Sequence, residues 1–149
     1  YLLDNLDDER GFCIDIKGHK SRAKIERGIQ AHTCYSYQGQ ISVDQGFKKQ
    51  SITNSSFYIP GFSVCMKVKS VHFEHEVILS KCDNMNLDSF MFSENNEIHI
   101  KKDKSYCLTV VENSLRTGKG GSPIHKMRDI KLLKCNKNIH HLQKWGYRN

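Results

Sequence analysis

The sequence predicts an all-β protein built from many short strands, and three observations carry that prediction. Ala occurs only twice, at Ala23 and Ala31, whereas Ile and Val together number 20. Ala is the strongest helix former and β-branched residues favour strands. The turn formers Asn, Ser, Gly and Asp are abundant, so strands are expected to be short and closely punctuated. Cysteines also recur inside short apolar runs in which residues two apart share one face of a strand.

The elements follow in order. Phe12-Cys13-Ile14-Asp15-Ile16 reads as a first strand, and Gly28-Ile29-Gln30-Ala31-His32-Thr33-Cys34 as a second that ends on a cysteine. Gln45-Gly46-Phe47 comes next, with a polar residue, a spacer and an aromatic, and then Asn54-Ser55-Ser56-Phe57-Tyr58-Ile59 as a further strand. The order then repeats. Val64-Cys65-Met66-Lys67-Val68 matches the first run and Glu76-Val77-Ile78-Leu79-Ser80-Lys81-Cys82 the second. Asp88-Ser89-Phe90 matches the third, and Asn95-Asn96-Glu97-Ile98-His99-Ile100 the fourth. A last round has Tyr106-Cys107-Leu108-Thr109-Val110, Asp129-Ile130-Lys131-Leu132-Leu133-Lys134-Cys135 and Gln143-Lys144-Trp145. The next cysteine arrives 18 residues after Phe47 and 17 after Phe90.

Internal repetition of this kind sets the architecture before any motif does. The chain divides into three units, about 1 to 60, 61 to 102 and 103 to 149, with no linker between them, so the 149 residues form a single domain. The repeat suggests one bridge per unit: Cys13–Cys34, Cys65–Cys82 and Cys107–Cys135. Six widely spaced cysteines without C-x-x-C fit structural disulfides in an oxidising compartment rather than zinc or redox sites. Six buried thiols in a cytosolic protein is the competing reading. The stretch from Arg116 to Pro123 reads as a surface loop inside unit three.

Composition excludes other classes. Charged residues make up 26% and hydrophobic residues 38%, which is ordinary for a globular chain and not for a disordered one. No apolar run approaches the ~20 residues that span a bilayer, so no transmembrane segment is expected. The chain starts at Tyr1 rather than Met, which reads as a processed or trimmed N-terminus, and no signal peptide is visible.

The three rounds of cysteine strand, second cysteine and Q-x-W-like aromatic resemble the ricin B-type (R-type) lectin β-trefoil family over nearly the whole chain. Gln143-Lys144-Trp145 is a full Q-x-W, Gln45-Gly46-Phe47 a near match and Asp88-Ser89-Phe90 a weak one. The resemblance implies a six-stranded barrel capped by three hairpins, with pseudo-threefold symmetry. It places Phe47, Phe90 and Trp145 in the core. It also implies one sugar pocket per repeat, made by an Asp two residues after the first cysteine, by a polar residue and an aromatic platform before the second, and by a residue beside the Q-x-W glutamine. Unit one supplies Asp15 as hydroxyl acceptor, Gln30 and Gln45 to orient the ligand, His32 as platform and Asp44 as secondary acceptor.

That chemistry is sound by itself. Carboxylates accept strong hydrogen bonds from vicinal hydroxyls, and a flat ring offers the apolar face of a sugar a surface. His32 stands where the family has Trp or Tyr, with Tyr35 or Tyr37 as candidate helpers, and Asp44 stands in place of Asn. In units two and three Lys67 and Thr109 replace the Asp, Ile78 and Lys131 replace Gln30, and Ser80 and Leu133 replace the platform. Both pockets are expected to be lost for neutral sugars. The implied preference is galactose or N-acetylgalactosamine, or a sulfated glycan received by Lys67 or Lys131.

A net charge of +7 reads first as a solvated surface and second as an anionic partner. Lysines gather at Lys48-Lys49, at Lys101-Lys102 with Lys104, and from Lys131 to Lys144. His72-Phe73-Glu74-His75 and His140-His141 read as surface loops, not a metal site. Asn54-Ser55-Ser56 matches an N-glycosylation triplet. Lys119-Gly120-Gly121-Ser122 lacks the full phosphate-loop pattern. No catalytic set is present, so the expected function is non-catalytic carbohydrate binding by a secreted or extracellular protein. No cofactor, metal or nucleic-acid partner is expected. The alternatives are a basic β-trefoil interaction protein, like heparin-binding growth factors or protease inhibitors, and an accessory module of a larger enzyme.

Overall fold

A computed structural model of the chain describes residues 1–18, 20–34, 44–72, 74–83, 89–119, 121 and 123–147. It is all-β apart from short helical turns. The strands are β1 (Phe12–Ile16), β2 (Ile29–Thr33), β3 (Tyr58–Ile59), β4 (Val64–Val71), β5 (Glu74–Ser80), β6 (Phe90–Phe92), β7 (Ile98–Ile100), β8 (Asp103–Val110), β9 (Arg116–Thr117) and β10 (Lys126–Lys134). One sheet runs in the order β1-β2-β10-β8-β7-β6, with β9 on β10, and a second runs β3-β4-β5. Among the described residues no helix is long and apolar enough to cross a membrane.

The three bridges form as the repeat suggests: Cys13–Cys34, Cys65–Cys82 and Cys107–Cys135, with Cα–Cα distances of 5.1, 5.2 and 5.1 Å. Each unit carries one antiparallel pair in the same register. Cys13 lies opposite His32, Cys65 opposite Ser80 and Cys107 opposite Leu133. Two residues on, Asp15 faces Gln30, Lys67 faces Ile78 and Thr109 faces Lys131. In every unit the second cysteine lies one or two residues past the end of its strand and so closes the hairpin that holds its partner.

A second contact also recurs. The amide Nε2 of Gln45 donates to the Thr33 carbonyl at 3.3 Å, and that of Gln143 to the Lys134 carbonyl at 3.1 Å. Each acceptor directly precedes the second cysteine of its unit. In unit two Asp88 lies outside the described residues.

The core gathers Leu2, Phe12, Ile14, Ile16, Phe57, Met66, Phe90, Leu108, Val110 and Trp145, among others. Trp145 is fully buried and its indole Nε1 donates to the Leu108 carbonyl at 3.0 Å, which satisfies the one polar atom of the ring. Phe90 is buried as well, and meets Phe57 edge to face with centroids 6.1 Å apart. Phe47 packs against the core but is only partly buried.

Two expected strands are shorter than the sequence pattern: over 95–100 only Ile98–Ile100 forms β7, with Asn96 at φ 67°. Over 54–59 only Tyr58–Ile59 pairs, with β4. Ser55 and Phe57 have φ of 62° and 37°, which no strand accommodates. The preceding residues Lys49–Thr53 form a single helical turn, α1, whose Ser51 side chain accepts from the Tyr58 amide at 2.9 Å.

Candidate functional site

The structure brings the five predicted site residues together and buries all of them. β1 carries Asp15, β2 carries Gln30 and His32, and alternation puts these three on one face of the sheet. Asp44 and Gln45 arrive from the chain returning after the first disulfide, where the Ile16 amide donates to the Asp44 carbonyl at 3.0 Å. Tyr35 and Tyr37 lie outside the described residues.

Asp15 is 1% exposed, and its Oδ2 accepts from Gln30 Nε2 at 3.1 Å. Its Oδ1 is buried with no hydrogen-bond partner among the described residues. Burial, and after it the charge of Asp44, push the Asp15 pKa up to about 8. Removing a carboxylate from water penalises its charged form, and a second carboxylate nearby adds to the penalty. The buried site thus favours the protonated form of Asp15, which can donate as well as accept.

His32 is buried, and burial lowers its pKa, so the ring is neutral. Its Nδ1 lies 2.7 Å from the Thr33 carbonyl, which can only accept, so Nδ1 carries the proton. The ring does not stand open as a platform. His125 lies against it with centroids 5.1 Å apart and a 39° tilt.

Four residues beside this site were not found from the sequence, and all come from unit three. β10 pairs with β2 so that Met127 faces His32 and Asp129 faces Gln30. Arg116 on β9 donates through Nη1 to Asp129 at 2.7 Å and through Nη2 to Gln30 Oε1 at 3.4 Å. His125 covers His32 and lies 3.4 Å from Thr33 Oγ1 through its Nδ1. The pairing of β10 with β2 and with β9 brings them in, and no spacing in the sequence announces those pairings.

The corresponding positions of the other units are filled differently. Lys67 is buried, with Nζ 2.6 Å from Asp83 Oδ1. That hydrogen bond holds the exposed Asp83 carboxyl below its usual range. Thr109 is buried and accepts from Gln143 Nε2 at 2.9 Å. Lys131 is exposed.

A separate apolar cavity of about 100 Å³ is walled by Phe47, Ile52, Phe57, Phe92 and Tyr147, and of the five predicted residues only Gln45 borders it. Among the described residues the one close group of potential metal ligands is Glu97 with Cys107 and Cys135, whose sulfurs are joined in a disulfide.

No protein-family model, curated protein or solved structure matches this chain.

Proposed function

We propose that this is a carbohydrate-binding protein whose site is the polar face of unit one, and that its three units close as a β-trefoil. The observation that carries the reading is internal to the molecule. Three hairpins share one register and one disulfide, yet only the first holds an acid, an amide and an imidazole at the equivalent positions. Units two and three fold with Lys67, Ile78 and Ser80, and with Thr109, Lys131 and Leu133, at those places. The fold does not require the polar set.

Among the described residues Asp15 Oδ1 has no hydrogen-bond partner, and a buried carboxyl oxygen left in that state is costly to keep. A ligand hydroxyl would satisfy it. Carboxyl, amide and imidazole groups converging on one face offer the mixed donors and acceptors that sugar hydroxyls need. The reaction class is binding without catalysis. Asp15 supplies the central donor and acceptor, Gln30 and Gln45 orient the ligand, His32 shapes the wall and Asp44 tunes the acid. Three disulfides fit a secreted or extracellular setting for such a protein.

A glycan array with neutral and sulfated glycans side by side tests the reading. Binding to terminal galactose or N-acetylgalactosamine, lost in Asp15→Ala, is the expected result. Binding restricted to sulfated glycans and unaffected by Asp15→Ala would move the site to the basic surface of unit three, where Lys131 and Lys134 are exposed. Silence on both would favour a protein partner.

A further inference from the structure

The face that carries Asp15 does not end at the edge of unit one. Asp15, Gln30 and Asp129 form a row across β1, β2 and β10. The next row is Cys13, His32, Met127 and, on β9, Arg116. Residues directly opposite in antiparallel strands share a face, so one continuous surface joins the first unit to the third.

Along it a hydrogen-bonded line runs from solvent to interior. Arg116 reaches Gln30, and Gln30 reaches Asp15. The side chains of Arg116 and Asp129 are 43% and 39% exposed, while Gln30 is 7% and Asp15 1%. The exposed pair is held in place from behind. The Asp129 amide donates to Ser114 Oγ at 2.8 Å, and the Asp129 carbonyl accepts from the Val111 amide at 2.8 Å. Arg116 also reaches the Ser114 carbonyl at 3.3 Å. An ion pair this exposed contributes little to stability. Its placement against the amide of a buried site residue calls for another explanation.

We propose that Arg116 and Asp129 form an outer subsite for the second ring of a neutral oligosaccharide whose first ring engages the unit-one face. The inference rests on the carbohydrate reading above and adds the class of ligand: a disaccharide or longer, in preference to a monosaccharide. A guanidinium fork beside a carboxylate gives a donor and an acceptor at adjacent points, and a pair of vicinal hydroxyls answers both. The contact between Arg116 and Gln30 is long, so a hydroxyl can take Arg116's place on Gln30 Oε1 without breaking the shorter bond to Asp129.

The test prints galactose, N-acetylgalactosamine, N-acetylglucosamine and glucose beside their β1,3- and β1,4-linked disaccharides, and titrates the best pair by calorimetry. The proteins are the wild type and the double variant Arg116→Gln/Asp129→Asn, which leaves net charge unchanged and removes the exposed pair together with the Arg116 contacts to Gln30 and Ser114. The wild type is expected to bind the disaccharide about tenfold tighter than the monosaccharide, a gain within reach of one charge-assisted hydrogen bond. In the double variant the disaccharide gain falls from about tenfold to about one, read as the ratio of the two affinities so that any change in monosaccharide binding cancels. A variant that keeps the full gain, or a wild type with none, overturns the outer subsite and leaves the unit-one site standing. A wild type that binds no saccharide on the array overturns the carbohydrate reading and the subsite with it.

Discussion

When the chain folds, Asp15 exchanges water for Gln30 and for the neighbourhood of Asp44 and Gln45. Unfolded, its carboxyl ionises near 3.8; folded, near 8. The stability its protonated form provides is complete below 3.8 and is lost as pH rises towards 8, because the unfolded chain releases the proton first. Asp15→Asn cannot titrate and keeps the size of the neutral acid. It is expected to be more stable than the wild type at pH 8, by an amount on the order of a few kcal/mol, with the difference vanishing near pH 4. Urea unfolding at the two pH values reads this directly. Asp8 has the opposite sign. Arg10 grips it with Nε on Oδ1 and Nη2 on Oδ2, both at 2.9 Å, and holds its carboxyl well below the usual range. That contribution is present above 3.8 and lost as pH falls. Asp8→Asn should therefore flatten the loss of stability between pH 4 and pH 2, followed by circular dichroism.

The hairpin is the element that repeats, and the disulfide is what closes it. Cys65 and Cys82 enclose 17 residues of separation, so Cys65→Ser with Cys82→Ser is expected to lower stability by about 3 kcal/mol in the chain-entropy model. The same change should leave glycan binding intact, because unit two holds Lys67, Ile78 and Ser80 where unit one holds its polar set. At this scale much was legible in advance. The repeat suggests the local cysteine pairing and aligns Asp15 with Lys67 and Thr109, and the disulfides and strand registers agree with it. The helical turn Lys49–Thr53 was not legible, since five residues are too few to display a helical period. Nor was the truncation of β3, where the backbone at Ser55 and Phe57 turns to positive φ against the strand pattern. The exposure of the site was also hidden. A sequence names Asp15 and His32, but only packing reveals that one becomes a neutral acid and the other lies under His125.

Across the whole molecule, the two ends of the described chain meet and the first segment is tied to the third unit. Leu2 bridges to Trp145, and the Tyr1 amino group donates to the Gly146 carbonyl at 2.7 Å. Arg128, buried over the Phe12 ring, donates to Asp7 at 2.9 Å. Trp145 sits where these contacts converge on the core. Trp145→Phe loses the bond to the Leu108 carbonyl together with part of a buried ring, and is expected to cost about 1 to 3 kcal/mol. The site itself is an effect of this closure. Arg116, His125 and Asp129 lie far along the chain from Gln30 and His32, and pairing between remote strands leaves no local mark in a sequence.

The central claim, that the unit-one face takes a carbohydrate, is tested most directly by amide chemical shifts. The best neutral glycan from the array is titrated into isotopically labelled protein under non-reducing conditions. The account predicts shifts concentrated at Cys13–Asp15, Gln30–Thr33, Asp44–Gln45 and Arg116 with Asp129, and little change around Lys67 or Lys131. Shifts centred on the lysines of unit three, or on the apolar cavity by Phe92 and Tyr147, would contradict it.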